Sequence, residues 1–119
     1  MPDLEKQKIS VVCPVFNEEE AIPLYYDRFK KALACLSDNY LIELIFVNNC
    51  STDNTLAAIK NIQNKNPTVQ YITLTRNFGY QSAIAVGLKY AENDYVCVMD
   101  GDLQDPPEII SKFVEPVKP

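Results

Sequence analysis

Residues 41–62 read LIELIFVNNCSTDNTLAAIKNI, and the fold follows from that stretch. Leu41 to Val47 is a near-continuous apolar, β-branched run of strand length, the pattern of a strand buried on both faces of a parallel sheet. Asn48 to Ser51 is a polar cluster. Ser51-Thr52-Asp53 is a run of favourable helix N-cap residues, and Leu56, Ile59 and Ile62 then recur at three-residue steps on one helix face. A strand passes through a polar turn into an amphipathic helix.

The same unit recurs on both sides. Upstream, Ile9 to Cys13 is a strand run, and Ile22, Tyr25, Phe29, Leu33 and Leu36 share one helix face. Asn17 and Glu20 have the spacing of a capping box, with Asn in place of Ser or Thr. Pro23 shifts the expected helix start to near Ala21, so that proline falls in the first turn. Downstream, Val69 to Leu74 is a third strand. Tyr80 to about Ala91 is a largely apolar helix expected to be well buried. Tyr95 to Met99 is a fourth strand, and Pro106-Pro107 open a helix with Ile109, Ile110 and Phe113 inward. Four alternations of strand and helix predict a doubly wound α/β sheet with right-handed crossovers. Residues 1–8 are expected to be a mobile tail, and 9–119 one compact unit.

Composition narrows the function classes. The chain has 119 residues, a net charge of −5 and 47% hydrophobic content, enough for a core but with no basic face for a nucleic acid or an anionic membrane surface. Its four cysteines, Cys13, Cys35, Cys50 and Cys97, include no C-x-x-C pair, which argues against a zinc site. Reduced thiols in a cytoplasmic protein are the expectation. The start MPDLEKQK lacks a signal-peptide core, and no apolar run approaches the roughly 18 residues of a spanning helix. With three glycines and no G-x-G-x-x-G, a Rossmann dehydrogenase is excluded.

Ligands of open α/β sheets bind beyond the C-terminal ends of the strands. Polar clusters fall at each of these ends: Pro14-Val15-Phe16-Asn17-Glu18, Asn48 to Ser51, Thr75-Arg76-Asn77-Phe78-Gly79, and Asp100-Gly101-Asp102-Leu103-Gln104-Asp105. Asp100 and Asp102 are the sharpest feature. Two carboxylates one residue apart call for a positive partner, and a divalent cation is the natural one. Gly101 permits close backbone approach, and Gln104 offers an amide oxygen. The same residues also suit a solvated acidic turn with Asp105 as N-cap.

The strings VVCPVFNEEEAI, ELIFVNNCSTDNT, LTRNFGYQSAIAVGL and VMDGDLQDPPE resemble, in order, four blocks of glycosyltransferase family 2. The likeness is strongest to its dolichyl-phosphate mannose synthase and bactoprenol glucosyltransferase branch, and it runs from Ile9 to about Val114. The resemblance implies the GT-A fold, here its N-terminal half. It implies inverting transfer of a sugar from a UDP- or GDP-sugar to a polyprenyl phosphate, at the cytoplasmic face of a membrane. It places Pro14, Phe16, Glu18, Val47 and Asn49 at the nucleotide, with Arg76 toward phosphate or a neighbouring carboxylate. Asp100, Asp102 and Gln104 would hold Mg²⁺ or Mn²⁺ and the donor diphosphate, with Gly101 beside the donor and Asp100 and Asp102 as the catalytic residues through the metal they hold. Ser51-Thr52-Asp53 is read mainly as a helix N-cap.

One departure stands out. The family's usual V-D-D-G-S is Val47-Asn48-Asn49-Cys50-Ser51 here. An amide donates as well as accepts, so Asn49 is compatible with a base but alters which one it suits. Cys50 in place of glycine is expected to keep its backbone out of φ > 0. The departure keeps a non-catalytic nucleotide-binding module open as an alternative. An aspartate-nucleophile phosphatase fits poorly, because Gln104 stands where that class has Thr or Val and the motif follows the fourth strand. A transferase of this family continues well past residue 119, so the chain is expected to be an inactive truncated part. Its uncovered apolar surface is expected to drive it into a two-fold dimer.

Overall fold

The computed structural model describes residues 7–34, 40–91 and 95–99. Four strands, β1 (Gln7–Val15), β2 (Tyr40–Asn48), β3 (Val69–Thr73) and β4 (Tyr95–Val98), alternate with α1 (Ala21–Ala34), α2 (Thr55–Lys65) and α3 (Tyr80–Tyr90). The sheet order is β3-β2-β1-β4, and every pairing is parallel. The chain first winds outward from β1 through β2 to β3, then crosses back to set β4 on the other side of β1. That reversal is a topological switch point, where open α/β sheets form their ligand crevice.

Side chains alternate along each strand, so each sheet face has its own core. On one face Ile9, Val11, Cys13, Leu44 and Phe46 pack against Ile22, Tyr25 and Phe29 of α1 and Ile59 and Ile62 of α2. Tyr25 sits at the centre, stacked on Phe29 and edge-on to Phe46, each at 6.2 Å between ring centroids. On the other face Val12, Ile45 and Val47 meet Ala83 of α3. Gly87 lets α3 lie directly on the sheet, since a Cβ there would run into Val12 and Val47.

Several expectations need correction. β1 takes in Gln7 and Lys8, which were expected in the tail. α3 is not well buried: only Ala83 and Gly87 are, while Leu88 is 45% and Tyr80 50% exposed. An apolar helix has more apolar surface than one sheet face can cover. The capping box does not form, because the Asn17 side chain reaches another loop. α1 instead starts on the Glu18 carbonyl, which accepts from Ala21 and Ile22 N–H at 3.0 Å each. Pro23 falls in the first turn of α1, as expected. The helix expected after Pro106 lies outside the described residues.

Candidate functional site

Three loops leave the C-terminal ends of β1, β2 and β3 and meet one another at that end of the sheet. The first is built on backbone the sequence makes unusual: Asn17 is left-handed, with φ 51°, a conformation Asn tolerates better than most residues. This loop presents three successive N–H groups to the second. Asn17 N–H donates to Ser51 Oγ at 3.0 Å, Glu18 N–H to Thr55 Oγ1 at 2.8 Å, and Glu19 N–H to Asp53 Oδ2 at 3.4 Å. In return Asn17 Oδ1 accepts from Thr52 N–H at 2.7 Å.

Ser51 and Thr52 do not cap α2, contrary to expectation, whereas Asp53 Oδ1 does take the first N–H of the helix, that of Thr55, at 3.0 Å. The helix starts at Thr55 with Asn54 as N-cap, and the polar run spends its side chains on holding the first loop. Asp53 Oδ1 also accepts from Thr55 Oγ1–H. Burial pushes the Asp53 carboxyl up, but hydrogen bonds from Thr55, Glu19 and its own N–H outweigh that and hold it below its ordinary value. These positioning residues had one legible signal: residues 51–55 carry more capping groups than one helix start can use.

The amides at the end of β2 are buried, Asn48 to 2% and Asn49 to 5% exposure. Asn48 Oδ1 accepts from Ser51 N–H at 3.1 Å and Ser51 Oγ–H at 2.6 Å. It performs the accepting work of a carboxylate there without burying a charge. Asn49 accepts at Oδ1 from Phe78 N–H and donates from Nδ2 to Asn77 Oδ1, both at 3.0 Å. Asn77 Oδ1 also accepts Gly79 N–H at 2.8 Å, so Asn49 and Asn77 together shape the third loop. Next to Asn49, Cys50 adopts φ 59°, against the expectation that it would avoid positive φ. The tight turn requires the conformation, and Cys50 Sγ–H reaches Thr75 O at 3.6 Å.

The loops enclose a cleft of about 400 Å³. Pro14 and Val15 line it from the end of β1, Phe16 and Glu18 from the first loop, Asn49 from the second, Asn77 and Gly79 from the third, and Tyr80 from the start of α3. Of the residues expected at the nucleotide, Pro14, Phe16, Glu18 and Asn49 are thus brought together. Val47 is not: its side chain is sealed in the core beneath α3. Arg76 does not line the cleft but stacks on the Phe78 ring, 4.6 Å from its centroid. Asp100, Gly101, Asp102 and Gln104 lie outside the described residues. Asn77 and Tyr80 were not singled out as site residues; Asn77 falls within the polar cluster that follows β3, and nothing local in the sequence marks Tyr80.

A larger and more open hollow of about 630 Å³ lies at the opposite end of the strands, beside Lys8, Leu41 and Tyr90. It lacks the convergence of loops, and its Glu43 takes a hydrogen bond from buried Ser10 at 2.9 Å. Among the described residues no cluster of three or more His, Cys, Asp or Glu side chains suits a metal, and no helix is long and apolar enough to cross a membrane.

Comparison with known proteins matches residues 10–119 to the family model described as Glycosyl transferase family 2. The chain is 42% identical over 108 residues to a bactoprenol glucosyl transferase of Shigella phage SfV, covering 91% of this chain and 34% of that protein. It is 41% identical over 116 residues to an undecaprenyl-phosphate 4-deoxy-4-formamido-L-arabinose transferase of Proteus mirabilis, covering 96% and 35%. The chain spans about a third of the length of these relatives. Among solved structures, a mannosyltransferase from Pyrobaculum calidifontis in complex with GDP-Man and Mn²⁺ superposes with a TM-score of 0.72 at 22% identity, over 82% of this chain and 28% of that one. A glucosyl-3-phosphoglycerate synthase from Mycobacterium tuberculosis, in complex with Mn²⁺, UDP and glucosyl-3-phosphoglycerate, gives 0.69 at 25% identity, over 93% and 39%.

Proposed function

The chain belongs to glycosyl transferase family 2, and on that premise we propose that it forms the donor-binding part of an inverting transferase acting on a polyprenyl phosphate at the cytoplasmic face of a membrane. The donor is a UDP- or GDP-sugar. The observation that carries the proposal is the cleft beyond the C-terminal ends of β1 and β2, into which Phe16, Glu18 and Asn49 are all delivered by loops tied to one another. The names of the 41–42% identical relatives support the acceptor class.

In this proposal an acceptor phosphate oxygen attacks the anomeric carbon from the face opposite the nucleotide. The new C–O bond forms as the bond to the nucleoside diphosphate breaks, and the configuration inverts. The acceptor arrives as an anion, so no dedicated base is required. The chain's own part is to bind and orient the donor. Phe16, 40% exposed, offers a flat apolar surface to the base, while Glu18 and Asn49 offer polar contacts to base and ribose.

The donor chemistry of Asp100, Asp102 and Gln104 fits a metal: two carboxylates and an amide oxygen are the hard ligands that Mg²⁺ or Mn²⁺ prefers. β4 leads toward the cleft end of the sheet, with Met99 N–H donating to Val12 O at 2.9 Å. These three residues would hold the ion, which when bound neutralises charge on the leaving diphosphate.

Calorimetry of the intact protein with UDP- and GDP-sugars tests the proposal. Mn²⁺ is expected to strengthen binding, and Asp102→Asn to abolish that enhancement while leaving the circular dichroism spectrum unchanged. Equal affinity with and without metal would refute the metal assignment. A second reading, a nucleotide-binding module without chemistry, is favoured by one feature: Asn48 and Asn49 replace both acids of the family pattern. Transfer of labelled sugar to undecaprenyl phosphate by the intact protein decides against it; binding without transfer decides for it.

A further inference from the structure

The hydrogen bonds around Asn77 fix which of its atoms faces a ligand. Backbone N–H groups can only donate, so each sets the orientation of the amide it meets. Phe78 N–H fixes Asn49 with Oδ1 toward the third loop, which turns Asn49 Nδ2 to Asn77. Gly79 N–H independently fixes Asn77 with Oδ1 inward. Asn77 Oδ1 then accepts two hydrogen bonds, filling both lone pairs. The side chain is exposed and lines the cleft, so its NH₂ group is what remains to meet a bound molecule. An acid at position 49 could not donate to Asn77 Oδ1, so the amide there reinforces the polarity that Gly79 sets.

We propose that Asn77 is a specificity-determining residue, presenting its NH₂ to a ring carbonyl of the nucleotide base so that the cleft selects oxo bases over amino bases. Uracil and guanine each place a carbonyl beside a ring N–H. Cytosine and adenine place an amino group beside an unprotonated nitrogen. Asn49, in the same cleft, retains one Oδ1 lone pair after accepting from Phe78, which suits the neighbouring ring N–H. Against an amino base, the NH₂ of Asn77 would face another donor, and neither group would be satisfied. The inference rests on the donor-nucleotide reading above and adds to it the residue that discriminates the base.

Asn77→Asp separates the two roles of the side chain. It keeps both accepted hydrogen bonds and the shape, and removes only the donor. Titration of the intact protein with UDP against CDP and with GDP against ADP tests the assignment. Each pair shares its diphosphate, so the added negative charge cancels in the ratio. The unaltered protein is expected to favour the oxo member of at least one pair, and Asn77→Asp to lower that ratio roughly tenfold with an unchanged melting temperature. If the melting temperature falls, Asn77→Ser serves instead: it keeps an acceptor for Gly79 but is too short to reach a base, and should lose the preference. An unchanged ratio in the folded variants, or no oxo preference before substitution, overturns the Asn77 assignment while leaving nucleotide binding intact. Failure to bind any of the four overturns the donor reading as well.

Discussion

Cys50 is held in a left-handed turn by the residues on either side of it. A residue with a Cβ was expected to avoid φ > 0, yet Cys50 lies at φ 59°. The turn is set from outside: Asn48 Oδ1 holds Ser51 N–H, and Asn49 is committed to the third loop. Cys50 follows because both neighbours are fixed. A left-handed residue with a Cβ costs roughly 1–2 kcal/mol. Glycine removes that cost but adds unfolded-state freedom worth about 0.4–1 kcal/mol, and it forfeits the weak thiol contact to Thr75. Relief of the backbone strain outweighs both losses. Cys50→Gly is therefore expected to stabilise the chain by up to about 1 kcal/mol, or a few degrees in Tm, with Cys50→Ala giving no gain. Thermal melts followed by circular dichroism check this; a glycine variant less stable than the alanine variant would show the turn is unstrained.

At the scale of elements, α3 is positioned by the absence of a side chain. Gly87 faces Val12 on β1 and Val47 on β2, with no room for a methyl between them. Alanine is a better helix former than glycine by about 1 kcal/mol. Overpacking against two strand valines costs about 1–3 kcal/mol, and rigid sheet positions absorb it poorly. The second effect wins: Gly87→Ala should destabilise by about 1 kcal/mol, seen as a lower urea midpoint at an unchanged slope. Because Gly79 and Tyr80 at the start of α3 line the cleft, the shift should also weaken nucleotide binding. A stabilised variant would mean that α3 can lift off the sheet freely.

For the whole molecule, the sheet order leaves β3 and β4 as edges among the described residues. α3 turns Tyr80, Leu88 and Tyr90 to the outside, the last 59% exposed. Apolar helix surface beside open strand edges favours association. The 119-residue chain alone is expected to self-associate increasingly with concentration, and Leu88→Glu to reduce that association without lowering Tm. Light scattering across a dilution series reads both; a monodisperse monomer at every concentration would show that this face needs no cover.

Periodicity alone carried the architecture. Strands at Ile9, Leu41, Val69 and Tyr95 and the intervening helices were legible because burial on a sheet writes itself into local apolar spacing, and right-handed crossovers leave few topologies. The rule that ligands bind at strand ends located the cleft, and family resemblance proposed Phe16, Glu18 and Asn49 for it. What local pattern could not supply was the traffic between loops. Ser51 and Asp53 looked only like caps of the helix they precede, and with Thr55 they became anchors for Asn17, Glu18 and Glu19, more than thirty positions away. Val47 looked like part of a site motif and went to the core, because strand alternation turns it under α3. Asn77 takes a local bond from Gly79, but meets Asn49 only once β2 and β3 lie side by side. A hydrogen bond has a direction and needs a partner in reach, and the partners of these side chains come together only when the sheet has formed.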